Sequence, residues 1–223
     1  PAHDEQDHIG ACLASLNVAA RCSRLESEEV LIVVAADTCG DQTVPIARSL
    51  GASVVSVDAR NVGVARAAGA RLALDAGARW LAFTDADSVV APDWLSTQLE
   101  QRCDAVCGTI EVRDWESYGD HMREQHLRTY TDADGHRHVH GANLGVAAFA
   151  YKSVGGFKPL VSSEDVALVE ALSESGASIA WSAAPRVVTS ARRAFRAPRG
   201  FGELLARLDR ELTQTFSAAG AAL

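Results

Sequence analysis

Two carboxylates stand one residue apart in Asp85-Ala86-Asp87, directly after a short apolar run. A loop with this spacing can turn both side chains toward one ligand. Mg²⁺ and Mn²⁺ prefer oxygen ligands, bridge to diphosphate oxygens and neutralise the charge on a leaving diphosphate. The motif alone is ambiguous, because an Asp-x-Asp turn after a strand is also a common capping turn. The assignment of Asp85 and Asp87 as metal ligands therefore depends on the residues around them.

Two further segments, at 37–43 and 61–66, follow predicted strands and carry candidate ligand-binding residues. Asp41 is placed to cap the helix that follows it, which leaves Asp37 available to accept from a base or a sugar. Asn61 precedes Gly63, a residue type that lets the backbone approach a ligand closely. Arg66 can pair with phosphate, or it can lie on a solvated helix face.

An adjacent acidic pair, Glu164-Asp165, lies at a predicted helix start. One interpretation is that the pair complements the helix dipole. The other is that it supplies a general base, which deprotonates an acceptor hydroxyl.

Three histidines alternate along the chain at His136, His138 and His140. On a strand they would share one face, as metal ligands can, but such a stretch is more often a polar loop. His140 precedes Gly141-Ala142-Asn143, so we expect it to reach a ligand before the other two do.

Several arginines cluster near the end of this acidic chain. They are either a solvated surface or an anion clamp for a diphosphate or an anionic acceptor. The arginines are Arg186, Arg192, Arg193, Arg196 and Arg199.

Alternating strand and helix patterns position these residues in the first half of the chain. Apolar or β-branched runs at 30–35, 52–57 and 80–84 predict strands. Helical spacing or composition at 9–20, 43–50 and 63–76 predicts helices, and another helix starts near Pro92. This alternation implies parallel βαβ units, in which ligands bind outside the carboxyl ends of the strands. We therefore expect Asp37, Asn61 and Asp85 to converge.

The second half is less regular. We predict a strand at 104–112, a polar helix and then a mobile loop within 115–135, and a helix at 142–153. A helix at 163–174 follows with Ser162 or Ser163 as its cap, then a strand at 179–188 and a helix from Phe201. Because no linker is visible, we predict one domain over 1–223. Its last element is a C-terminal helix at 201–223.

Composition narrows the functional classes. The net charge of -8 argues against a general nucleic-acid binder. The five cysteines are an odd number without zinc-ribbon spacing, which favours buried reduced thiols in a cytoplasmic protein. No run reaches the roughly 18 apolar residues that span a bilayer. The chain opens in a loop-like stretch, so we expect a first strand to precede Pro1.

In order and spacing, these segments resemble the family 2 glycosyltransferases, which have the GT-A fold, from Pro1 to about Arg193. Pro1-Ala2-His3-Asp4-Glu5 resembles that family's donor loop, residues 34–43 resemble its base-contacting segment, and residues 61–69 resemble its Asn-x-Gly-x-Ala-Arg segment. Thr84-Asp85-Ala86-Asp87 resembles its metal-binding Asp-x-Asp. Gly141-Ala142-Asn143 with Gly155-Gly156-Phe157 resembles its acceptor-side helix and the end of that helix, and Ser163-Glu164-Asp165 resembles its catalytic acidic pair. The chain departs from the family pattern at Asp4 and Ala67, where asparagine is usual.

The resemblance implies a single-domain, Rossmann-like α/β fold of the GT-A type, with a mostly parallel central sheet flanked by helices. It also implies a nucleotide-sugar donor half at 1–112 and an acceptor half at 113–200, before the C-terminal helix at 201–223. It implies inverting, metal-dependent transfer from a nucleoside-diphospho sugar, with a UDP-sugar expected first, to a hydroxyl of a glycan, a lipid-linked or a small-molecule acceptor. Mn²⁺ or Mg²⁺ would be held mainly by Asp87 with Asp85 assisting, and Asp165, paired with Glu164, would be the base. The donor-binding residues implied are Pro1, His3, Glu5, Asp37, Asn61, Arg66 and Asp85. The acceptor-binding residues implied are His140, Gly141 and Asn143. No nucleic-acid partner is expected, and peripheral membrane contact is compatible with the sequence.

Two other functions remain open. Residues 83–89 also resemble the nucleophile loop of haloacid-dehalogenase-type phosphatases, with Lys158 as the lysine and Glu164-Asp165 as the late acidic pair. That loop normally lies near the N-terminus, whereas more than eighty residues precede Asp85 here, and Asp37 stays unexplained. The second alternative is a GT-A module that binds nucleotide or glycan without turnover. The candidate metal carboxylates and base argue against it.

Overall fold

The computed structural model describes residues 1–115, 118–193 and 201–220 and has helices and strands in alternation. The helices are α1 (Ile9–Ala19), α2 (Thr43–Ser49), α3 (Val62–Asp75), α4 (Trp94–Glu100), α5 (Asp120–Thr129), α6 (Ala148–Ser153), α7 (Glu164–Glu174) and α8 (Phe201–Gly220). The strands are β1 (Val33–Asp37), β2 (Ser53–Val57), β3 (Trp80–Phe83), β4 (Val89–Val90), β5 (Ala105–Gly108), β6 (Leu144–Ala147), β7 (Ile179–Ser182) and β8 (Val187–Val188). The predicted α/β class is confirmed.

The donor half follows the predicted βα alternation closely. Strands β1 and β2 are parallel, and Ala2 forms a parallel bridge to Ala36 on β1. The strand predicted at 30–35 begins instead at Val33, where pairing with β2 starts at Ser53. Val30 and Leu31 are exposed, so their apolar character marks a surface segment rather than a buried strand. Helix α3 packs against both strands, and Arg66 is one of its buried residues.

The larger sheet has mixed pairing and corrects the prediction of a mostly parallel sheet. Its order is β3-β6-β5-β7, with β6 antiparallel to both neighbours and β5 parallel to β7. After β5 the chain returns to the end of the sheet where β5 finishes, and there the Gly108 N–H donates to the Asn143 carbonyl. The next strand, β6, therefore runs antiparallel to β5.

The helix predicted at 142–153 is correct only for its second half. Residues 144–147 form β6, and α6 follows at once. Leu144 and Val146 are fully buried between β3 and β5. An apolar run this short does not distinguish strand from helix by its periodicity, so the pairing partners decide the outcome.

Strand β8 returns the chain to the donor half. The strand predicted at 179–188 is split into β7 and β8, and the strand predicted at 104–112 ends at Gly108. Strand β8 pairs antiparallel with β4, which follows Asp87 closely in the chain. This pairing places the segment after β8 beside the Asp85-Ala86-Asp87 loop. Helices α5 and α8 pack over it around Met122 and Leu205.

All five cysteines are free, as predicted, although only Cys12 and Cys107 are buried and the other three are partly exposed. None of the helices in the described ranges combines the length and apolarity needed to cross a membrane.

Candidate active site

One cavity of about 1060 Å³ gathers the predicted site residues at the carboxyl ends of the donor-half strands. All of them except Asn143 line it. The lining predicted residues are Pro1, His3, Glu5, Asp37, Asn61, Arg66, Asp85, Asp87, His140, Gly141, Glu164 and Asp165. The convergence expected from the strand ends is therefore present.

Asp37 organises the loop that leads into α3. Its Oδ1 atom accepts from the backbone N–H groups of Ala59 and Arg60 and from the Thr38 hydroxyl, and its Oδ2 accepts from Asn61 N at 2.7 Å. Burial opposes ionisation, but the donated N–H groups outweigh it and hold the pKa of Asp37 below its usual value. A stable carboxylate here shapes the wall of the cavity, whether or not it also meets a ligand.

The N-terminal loop lies against Asp37 on the same wall. His3 Nδ1 is 2.7 Å from the Asp37 carbonyl oxygen, to which it donates. The Glu5 backbone N–H donates to the Thr43 hydroxyl at the start of α2. These bonds hold the predicted donor loop next to the end of β1.

Asn61 begins α3 as its N-cap. Its Oδ1 accepts from Val64 N at 3.1 Å, and its Nδ2 donates to the Pro159 carbonyl. A Cβ atom at Gly63 would stand 2.1 Å from the Lys158 carbonyl oxygen. Gly63 is therefore needed for the close approach of the 158–160 backbone, a different role from the predicted approach to a ligand.

Arg66 joins both sides of the cavity in a group that we call the Arg66 cluster: Arg66, Asp85, Gly141 and Glu164. Its guanidinium donates to Asp85 Oδ1 at 2.6 Å, to Glu164 Oε1 at 2.8 Å and to the Gly141 carbonyl at 2.9 Å. Burial disfavours the cation, but the carboxylates of Asp85 and Glu164 raise the pKa of Arg66. Because Arg66 is buried, the alternative of a solvated helix face is wrong, whereas the contact with phosphate stays a prediction.

The acidic pair divides into an internal and a cavity-facing residue. Glu164 is buried against Arg66, and burial raises its pKa even though Arg66 opposes the shift. Asp165 is only partly buried, and its Oδ2 accepts from Gly141 N at 2.7 Å. The preceding residue, Ser163, is the N-cap in left-handed geometry at φ 59 and makes no side-chain cap bond. Asp165 is therefore the member of the pair available to a ligand.

The metal corner, which we define as Glu5, Asp85, Asp87 and Arg192, is strongly charged. Asp85 keeps about a third of its side chain exposed, and Asp87 is mostly buried. Burial raises the pKa of Asp87 to about 6, with Asp85 and Glu5 adding to the rise and Arg192 opposing it. Two carboxylates that leave room for diphosphate oxygens and water are the donor set that Mg²⁺ commonly uses. Asp85 and Asp87 fit such an ion.

A different group has ligand atoms close enough to share a metal within the described part of the chain, namely Asp4, Cys39 and Asp41. Both carboxylates already accept backbone N–H groups, Asp4 from Gly40 in the opposite loop and Asp41 from Gln6 in the opposite loop and from Thr43 in its own. These hydrogen bonds hold the two loops together and account for the closeness of the three side chains.

The alternating histidines form a stacked array with Tyr130 rather than a metal site. The ring of Tyr130 stacks on His138 at 4.2 Å, and its hydroxyl lies 3.0 Å from His140 Nε2. His136 Nδ1 accepts from His138 N, and His138 Nε2 accepts from Thr131 N. Burial, followed by His138 and His136, lowers the pKa of His140 to about 3. His140 is therefore a neutral group at the cavity wall.

Asn143 lies in the core behind the cavity. It is fully buried, its Nδ2 donates to the carbonyls of Thr109 and Pro185, and its Oδ1 accepts from Trp94 Nε1 at 2.8 Å. A direct contact with an acceptor does not fit this geometry. Asn143 instead fixes the loop that carries His140 and Gly141.

The predicted motifs did not single out the segment after β8 as a wall of the cavity. Thr189, Ser190 and Arg192 line it, with Phe201 and Arg207 from α8. Arg192 belongs to the arginine cluster seen in the sequence, in which Arg196 and Arg199 lie outside the described residues. Its partner Glu5 is 187 positions away, so no local pattern could reveal the contact.

Backbone conformations that are uncommon for non-glycine residues occur in the loops around the cavity. Of the seven described non-glycine residues with positive φ, Arg60 and Ser163 line the cavity, and Asp4 and Thr38 adjoin residues that line it. Such conformations cost free energy and persist where surrounding contacts enforce them, often at functional sites.

Comparison with known proteins agrees with this architecture. The sequence model of glycosyl transferase family 2 matches residues 1–154. No curated protein matches the chain significantly in sequence. Several solved structures share the fold at identities that support the fold alone.

Three of these solved structures have TM-scores between 0.58 and 0.64. TarS residues 1–349 of S. aureus has a TM-score of 0.64 and 16% identity, over 86% of this chain and 59% of that one. The mannosyltransferase PcManGT of Pyrobaculum calidifontis, in complex with GDP-Man and Mn²⁺, has a TM-score of 0.61 and 17% identity, over 87% and 56%. The glucosyl-3-phosphoglycerate synthase of Mycobacterium tuberculosis, with Mn²⁺, UDP and glucosyl-3-phosphoglycerate, has a TM-score of 0.58 and 17% identity, over 98% and 77%. The chain thus spans less than two thirds of the first two, and the GT-A fold is confirmed.

Proposed function

Since the chain belongs to glycosyl transferase family 2, we propose that it transfers a sugar from a nucleoside-diphospho sugar to an acceptor hydroxyl. The observation that carries the proposal is the single cavity in which Asp85 and Asp87 on one side meet Asp165 on the other. The chain thus has a candidate metal corner and a candidate base facing the same space.

The proposed donor is a nucleoside-diphospho sugar, with a UDP-sugar expected first. Structures similar in fold carry UDP, as in TarS, or GDP-Man with Mn²⁺, as in PcManGT. In this chain the loop that carries His3 and the carboxylate of Asp37 would border the base and ribose. Arg66 would act indirectly, by holding Asp85 in place.

Asp87, with Asp85 assisting, would hold Mn²⁺ or Mg²⁺, which supplies charge neutralisation for the leaving diphosphate. The two carboxylates differ in a useful way. Asp85 is fixed by Arg66, whereas burial, followed by the carboxylates of Asp85 and Glu5, raises the pKa of Asp87. A divalent cation bound there would favour the ionised form of Asp87.

Asp165 would act as the general base of a single, inverting displacement. Its carboxylate takes the proton of the acceptor hydroxyl as that oxygen bonds to the anomeric carbon, and the nucleoside diphosphate leaves with the electrons of the broken bond. The Gly141 N–H bond to Asp165 Oδ2 orients the carboxylate. Glu164 supports this arrangement through Arg66 rather than by proton transfer.

The acceptor hydroxyl would enter beside Asp165, where His140 and Gly141 line the cavity. The proposed acceptor is a glycan, a lipid-linked molecule or a small molecule. Cytoplasmic location and peripheral membrane contact stay predictions.

The donor proposal is tested by thermal shift with a panel of nucleoside diphosphates and their sugars, with and without Mn²⁺. Ligand binding raises apparent stability by mass action. We expect a metal-dependent rise in Tm for one nucleotide, lost in Asp87→Asn and retained in Asp93→Asn, whose carboxylate pairs with Arg24 outside the cavity. A panel without any shift would contradict the proposal.

The two alternatives fare differently. The family match overturns the phosphatase resemblance, because the Asp85 loop belongs to a glycosyl transferase family 2 sequence. A binding module without turnover would show the donor-induced shift but no release of nucleoside diphosphate.

A further inference from the structure

Arg192 places a positive charge of the protein inside the metal corner. One guanidinium nitrogen donates to Glu5 Oε2 at 2.7 Å, and the other bonds Glu5 Oε1 and lies 3.2 Å from Asp87 Oδ2. The three side chains are 21%, 7% and 18% exposed for Arg192, Glu5 and Asp87. Two largely buried carboxylates therefore share one cation that comes from the far end of the chain.

We propose that Arg192 is an intrinsic competitor of the divalent cation and sets the affinity of the metal corner for it. The inference rests on the proposed function for the position of the metal at Asp87. It adds that this position is already in contact with a guanidinium, which the metal must displace or tolerate.

The competition follows from charge and burial. A divalent cation at Asp87 would stand close to the guanidinium, and repulsion between like charges is weakly screened in a largely buried site. Glu5 holds Arg192 through two bonds and also lies 3.2 Å from His8 Nδ1. Glu5 therefore holds both terminal nitrogens of the guanidinium, one of which also contacts Asp87. Repulsion from the held guanidinium therefore lowers the affinity of the site for the metal.

The coupling is reciprocal. A metal that is disfavoured by the Arg192 contact must, by linkage, weaken that contact when it binds. Arg192 lies between Ser190, which lines the cavity, and Arg193, which donates to Asp209 of α8 at 2.8 Å. Metal binding should therefore loosen the backbone at 190–193.

Mn²⁺ affinity, measured from the electron paramagnetic resonance of free Mn²⁺ at fixed ionic strength, tests the proposal without a donor. We expect Arg192→Gln to bind Mn²⁺ about tenfold tighter or more, and Arg192→Lys, which keeps the charge, to stay within about threefold of the wild type. The matched control is Arg24→Gln, since Arg24 likewise bridges two carboxylates, Asp93 and Glu100, away from the cavity. It should leave the affinity unchanged.

Unchanged or weaker binding by Arg192→Gln, or no binding by either protein, would overturn the inference. Hydrogen exchange on the unmodified protein gives a second measurement that needs no variant. We expect Mn²⁺ to speed exchange of the backbone amides at 190–193, and slower or equal exchange would refute the coupling. If the protein is an active transferase and Arg192→Gln leaves its Mn²⁺ affinity unchanged, only this inference is overturned. A chain without transferase activity that shows these shifts would overturn only the proposed function.

Discussion

Replacing Arg66 with methionine removes the cation of the Arg66 cluster while keeping a long apolar side chain in the site. Glu164, whose side chain is 5% exposed, then loses its 2.8 Å partner. Removal of one member of a buried ion pair costs about 3–5 kcal/mol, because the other charge stays desolvated. Asp85 is 36% exposed and can be solvated, so it adds little. We expect Arg66→Met to lower the free energy of unfolding by about 3–5 kcal/mol at pH 8.

The loss should depend on pH in a defined direction. Burial already raises the pKa of Glu164, and without Arg66 only the hydrogen bond from its own backbone still lowers it. Unfolded Glu164 ionises near pH 4.3, whereas the folded variant keeps its proton to higher pH. Above the unfolded pKa the folded state therefore binds more protons, and stability falls by up to about 1.4 kcal/mol per pH unit until the folded pKa is passed. The variant should be less impaired at pH 5 than at pH 8.

Urea unfolding followed by circular dichroism at both pH values measures this effect. The double variant Arg66→Met with Glu164→Gln should recover part of the stability and lose the added pH dependence, since no carboxyl remains to titrate at position 164. An Arg66→Met protein within about 1 kcal/mol of the wild type at pH 8 would refute the reasoning, because that is far below the cost of an unpaired buried charge.

Two further predictions concern the cavity wall. Gly141→Ala should cost about 1–3 kcal/mol, because the added Cβ would stand 2.3 Å from the Arg66 guanidinium. Its control is Gly40→Ala, which meets nothing within 4 Å, and equal Tm values for the two variants would contradict the predicted clash. His140, with a pKa of about 3, should show constant ring chemical shifts by NMR between pH 5 and pH 8, and a titration in that range would disprove its neutral burial.

The donor half could be predicted from sequence because its signals are local. Apolar runs and helical spacing located the strands and helices, and the carboxyl ends of strands gave a geometric reason for Asp37 and Asp85 to meet. The capping role of Asn61 is also local, since asparagine is a favoured N-cap residue. A capping interpretation of Asn61 would have anticipated its bond to Val64 N.

What the sequence could not supply are pairings between distant segments. Strand β6 is specified by its two partners rather than by its own periodicity. Arg66 and Glu164, as well as Arg192 and Glu5, meet through the fold, at separations of 98 and 187 positions. Asn143 is itself predicted from the sequence to bind the acceptor, yet its bonds to distant carbonyls turn it into the core.

Turnover by Asp165→Asn tests the central claim most directly, with release of nucleoside diphosphate from the donor that the thermal-shift panel identifies. Water can serve as the acceptor while the natural one is sought. We expect the wild type to release nucleoside diphosphate and the variant to bind donor with unchanged Kd but to turn over about 100-fold more slowly or worse. Turnover by Asp165→Asn at the wild-type rate would contradict the assignment of the base. Absence of turnover in the wild type would contradict the proposed activity itself.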